Sequence, residues 1–140
     1  MTGDGANALA PGELLTRVDL PAAALTARTA FRQVSLSPVG RSAVLVIARR
    51  PAGEPGATPY RSGHTVLTVT ASVPRPLQLR FPARPDPADA VAALDAADPA
   101  YLDDVHGSAR WRAAMTRRSV AAVAAELAVD VGPASPGPAR

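Results

Sequence analysis

The residues with chemistry to offer are few, and most fall in one run, DDVHGSARWR, which holds Asp103, Asp104, His106, Ser108, Trp111 and Arg112. Asp103, Asp104 and His106 form a mixed oxygen and nitrogen set of the kind a divalent metal accepts. Three ligands within four residues and no distant fourth, however, more commonly cap a helix than hold an ion. His106 with Asp104, or His64 with Tyr60, would serve as a general acid–base pair if a cleft lay beside either, with Trp111 as its wall. The plainer reading makes His106 a loop residue, His64 the start of a strand and Trp111 part of the core. Ser108 lies in no G-x-S-x-G elbow. Its place between Gly107 and a long run free of Gly and Pro suits a helix N-cap instead.

Other chemistries lack their residues. Gly53, Gly56 and Gly63 lie in a Pro-rich stretch before a strand, not between a strand and a helix where backbone N–H groups cradle phosphate. The chain has no cysteine, which removes disulfides, thiolate metal sites and a thiol nucleophile together. All fifteen basic residues are Arg, against twelve acids, for a net charge of +3. Ten of the arginines lie at residues 17–84, whereas residues 86–104 hold six aspartates and no Arg, so the two blocks either pair across the fold or mark a steering face. Scattered arginines and only five aromatic residues argue against nucleic acid as a partner. No basic start followed by an apolar run, and no window of eighteen apolar residues, is visible, so the expectation is a cytoplasmic chain without a membrane span.

The elements that must position these residues follow from periodicity. The 140 residues suit one domain: a Gly-rich leader over residues 1–12, an ordered body over 13–128 and a Pro/Gly tail over 129–140. Residues 13–20 (ELLTRVDL) alternate Leu14, Thr16, Val18 and Leu20 with charged neighbours and predict a half-buried strand ended by Pro21. Residues 29–36 predict a second strand. Residues 42–48 (SAVLVIA) are apolar on both faces and predict a central one. Residues 49–63 form a long connection, and residues 64–71 (HTVLTVTA) return antiparallel. Leu77, Leu79 and Phe81 give one more strand.

Beyond the linker PARPDP the period becomes helical. Asp86 or Asp89 caps a short helix at residues 90–97 with Val91 and Leu94 inward, and the final helix runs from Ala109 to Leu127. At 100° per residue, Val120, Val123 and Leu127 share a face, while Arg110, Arg117 and Arg118 point to solvent. Arg112 falls inside the apolar arc. A guanidinium there requires a carboxylate, and Asp103 and Asp104 are the candidates. Strands first and helices last give an α+β layer with the helices on one face of an antiparallel sheet.

The segments GELLTRVDLP, FRQVSLSPVGRSAVLVIA, VPRPLQLRFPA and DDVHGSARWR, in that order, resemble the C-terminal domain of carbon monoxide dehydrogenase-type flavoproteins. These are the medium, FAD-carrying subunits of molybdenum hydroxylases, a group that includes xanthine dehydrogenase. The resemblance rests most on Asp103, Asp104, Gly107, Ser108, Trp111 and Arg112, with Trp111 standing where the family usually has Tyr. It implies a three- to four-stranded antiparallel sheet packed by about three helices. It also implies an association with flavin-dependent oxidoreductases. The family holds FAD mainly in an N-terminal region with Gly-rich loops that has no counterpart here, so no residue of this chain is assigned to flavin, and FAD would come through a partner chain. The expectation is an accessory or interaction module. The alternative is a cofactor-free cyclase or isomerase using Tyr60, His64, Asp104, His106 and Trp111, and a third reading is a homo-oligomer pairing free sheet edges.

Overall fold

The computed structural model describes residues 6–20, 22–51 and 64–128. Four strands, β1 (Arg28–Val34), β2 (Val44–Arg50), β3 (Thr65–Thr70) and β4 (Leu77–Phe81), form one antiparallel sheet in the order β1-β2-β3-β4. Two helices follow, α1 (Pro87–Ala97) and α2 (Ala109–Ala128). The architecture is α+β, with two helices after the sheet and not about three. Among the described residues the remaining helix is a single turn at Ala22–Leu25, ahead of β1.

Register explains the core. Ala30, Ala48, Leu67 and Leu79 lie abreast across the four strands, and Val46, Val69 and Leu77 form the next row. Because side chains alternate between faces, these rows point to one side, where α2 covers β1 and β2 and α1 packs against α2 and β4. The covering face of α2 carries Arg112, Thr116, Val120, Val123 and Leu127, all buried at helical spacing. Arg112 is therefore on the packing side, as its position in the apolar arc requires. The opposite sheet face carries Phe31, Ile47, Thr68 and Gln78 in one row. Phe31 is 61% exposed and Ile47 38%.

The helix ends are set locally. The Asp86 side chain accepts from the Asp89 N–H at 2.8 Å with Pro87 in the first turn, and α1 closes at Asp98 in the left-handed region. Ala90 and Leu94 take its buried positions, while Val91 is half-buried. Arg117 pairs with Asp95 and joins the helices, and Arg32 meets Glu126 at 2.5 Å. Arg84 donates to the Ala128 carbonyl at 3.0 Å, placing a cation at the negative end of α2. No helix among the described residues is long and apolar enough to cross a membrane.

Residues 13–20 are not a strand. They run without a β partner, with Leu14 81%, Val18 69% and Leu20 73% exposed. Alternation specifies which side chains share a face, but a strand forms only when a neighbour supplies the ladder, and the turn at Ala22–Leu25 intervenes before β1.

Candidate functional site

The segment between the two helices folds onto the sheet end through backbone hydrogen bonds. Leu102 N–H donates to the Ser72 carbonyl at 3.0 Å, and Asp104 and Gly107 exchange N–H···O bonds of 3.3 and 3.1 Å across a tight turn. The Asp104 carboxylate stabilises that turn by accepting the His106 N–H at 2.7 Å. Gly107 has φ +143°, and a Cβ there would sit 2.6 Å from the Trp111 ring, so both the backbone and the indole demand glycine. Ser108 Oγ accepts from Trp111 N–H at 3.3 Å, which starts α2.

Arg112 gathers these parts. Its side chain is 2% exposed. Nε donates to the Gly107 carbonyl at 3.0 Å, Nη1 to the carbonyls of Ala43 and Ala71 at 2.8 Å each, and Nη2 to Asp104 Oδ1 at 2.5 Å. One guanidinium thus ties together the entry to β2, the exit from β3, the interhelical turn and α2. Ala71 is held at φ 65°, an unfavourable conformation for an L-residue, while its carbonyl meets Arg112. Beside it, Thr116 donates to Ser72 Oγ at 3.0 Å in the buried layer. The run from Asp104 to Arg112 is accordingly a structural clasp: an acid for the turn, a glycine for the indole, a hydroxyl for the cap and an arginine for the sheet end. The His106 N–H, followed by Arg112, holds the Asp104 carboxyl below its ordinary pKa, although Asp104 is exposed.

Over the clasp lies a pocket of about 370 Å³, whose polar lining residues are Arg41, Ser42, Thr70, Asp104, His106 and Arg112. Its lining also includes Val73, Pro74, Pro76 and Leu102. Of the residues singled out from sequence, Asp104, His106 and Arg112 meet here. Asp103 is exposed and makes no ion pair among the described residues, and Asp104 is the partner of Arg112. Trp111 packs on Gly107 outside the pocket lining. His64 precedes β3 and the pocket lies beyond its far end, about 20 Å of strand away. Tyr60 lies outside the described residues. The hydrogen bond between His106 and Asp104 is donated by the backbone N–H and not by the imidazole.

Arg41, Ser42 and Thr70 were not singled out from the sequence. Antiparallel pairing of β2 with β3 brings the start of one beside the end of the other, and only the register reveals that. No group of three His, Asp or Glu among the described residues could hold a metal ion.

Compared with known proteins, the chain matches no family model, no curated protein and no solved structure.

Proposed function

We propose that the chain is an accessory interaction module of a flavin-dependent oxidoreductase of the molybdenum hydroxylase type, with FAD held on a partner chain. The resemblance of GELLTRVDLP, VPRPLQLRFPA and DDVHGSARWR supplies the association with flavin enzymes. The observation that carries the module reading is the apolar surface left in water. Phe31 and Ile47 are neighbours on the open sheet face, and Leu14, Leu15, Val18 and Leu20 are exposed along one extended segment. Contiguous exposed apolar groups of this kind belong to surfaces that another protein covers. The clasp supports the same reading, because its acid and its arginine are engaged in holding the fold together.

The test is isolation of the tagged chain from its own host. The expected result is a stoichiometric second chain that carries FAD, lost on combining Phe31→Ser with Ile47→Ser while the helical circular dichroism is retained. Recovery of the chain without a flavoprotein, or a double variant that still brings it down, would overturn the reading.

A further inference from the structure

Arg41 lines the pocket at the sheet end, is exposed, and makes no hydrogen bond or ion pair among the described residues. Arg112 lies in the same lining but donates to three carbonyls and Asp104, so its charge is matched within the fold. With Arg112 and Asp104 cancelling, the pocket keeps one uncompensated positive charge, a planar fork of donors suited to a carboxylate. Ser42 and Thr70 lie in the same lining, and neither hydroxyl makes a hydrogen bond among the described residues. The same lining includes Val73, Pro74, Pro76 and Leu102, with Val73 buried. A concave site that combines apolar residues with a few polar groups is the usual build of a small-molecule pocket.

We propose that this pocket binds a small organic monocarboxylate, its carboxylate on Arg41 and its apolar body against Pro74, Pro76 and Leu102. The single charge matters: a dianion such as phosphate would leave one negative charge unmatched beside the Asp104 carboxylate. The inference stands apart from the proposed partner chain, since the pocket lies at the sheet end and neither Phe31 nor Ile47 is in its lining.

Trp111 is the sole tryptophan of the chain and packs on Gly107, which closes the turn that begins at the pocket's Asp104, so its emission reports on the site. Acetate, butyrate, hexanoate, hexanol and inorganic phosphate are titrated into the isolated protein, with calorimetry as the second readout. Hexanoate is expected to bind at least about tenfold more tightly than acetate, because its extra methylenes leave water. Hexanol and phosphate are each expected to fall about tenfold below hexanoate, one lacking the charge and the other the apolar body. Arg41→Gln should weaken hexanoate by about tenfold and leave the melting temperature unchanged, since Arg41 makes no hydrogen bond or ion pair among the described residues. Failure of hexanoate to saturate at millimolar concentration, phosphate binding as tightly as hexanoate, or wild-type affinity in Arg41→Gln would each overturn the proposal.

Discussion

Replacing Arg112 by Met removes the guanidinium while keeping most of the apolar stem, and tests whether that group holds the sheet end together. Three backbone carbonyls, those of Ala43, Ala71 and Gly107, lose a charged donor at 2.8–3.0 Å. At about 1.5–3 kcal/mol for each hydrogen bond to a charged group, the simple total is roughly 5–9 kcal/mol. Water entering from the adjoining pocket would satisfy part of that deficit, which brings the expected loss to about 3–5 kcal/mol, the range for breaking a buried charged contact. For a domain of about 100 residues this corresponds to a fall in melting temperature of roughly 15–25 °C. Urea unfolding followed by circular dichroism measures it directly. Arg112→Lys should recover less than half, because one ammonium cannot span carbonyls on two strands and a turn. Asp104→Asn should cost far less than Arg112→Met: Asp104 is exposed, and an amide oxygen still accepts from His106 and Arg112. Equal destabilisation by Asp104→Asn and Arg112→Met would refute the reasoning, since the ion pair and not the carbonyls would then be the source of the stability.

Gly107→Ala should lose about 2–4 kcal/mol in the same unfolding assay, combining a strained φ with displacement of the Trp111 ring, and should shift Trp111 emission. Ala71→Gly should instead gain about 0.5–1 kcal/mol, because glycine adopts φ 65° without the Cβ penalty. The depressed Asp104 pKa gives a sign for pH dependence: its stabilisation is fully present above the ordinary value of 3.8 and is lost as pH falls through the lower folded value. Asp104→Asn should therefore lower stability modestly and evenly near neutrality and flatten the acid side of the profile below about pH 4, where the wild-type protein loses the same contribution.

Much of the scaffold was legible in the sequence because it is written in local periods. The run VLVIA is apolar on both faces, and its strand lies inside the sheet between β1 and β3. Gly107-Ser108 marks the start of the long helix where it begins, and Arg112 within an apolar arc signals a buried charge with a nearby acid. Less legible was what the charge would touch. Carbonyl acceptors carry no side-chain signature, and Ala43 and Ala71 lie 69 and 41 residues from Arg112 in the chain. Arg41 was overlooked for the same reason, as it reaches the pocket through strand register and not through any motif. The residues around Leu14 show the opposite failure: their period is that of a strand, but period alone does not supply a neighbour.

In the proposed module, this chain covers a flavin enzyme whose FAD is held on the partner. Equilibrium dialysis of the isolated protein against FAD, followed by its visible absorption spectrum, probes that division. A colourless protein that retains no flavin is expected, and a yellow protein with one FAD per chain would overturn the proposal.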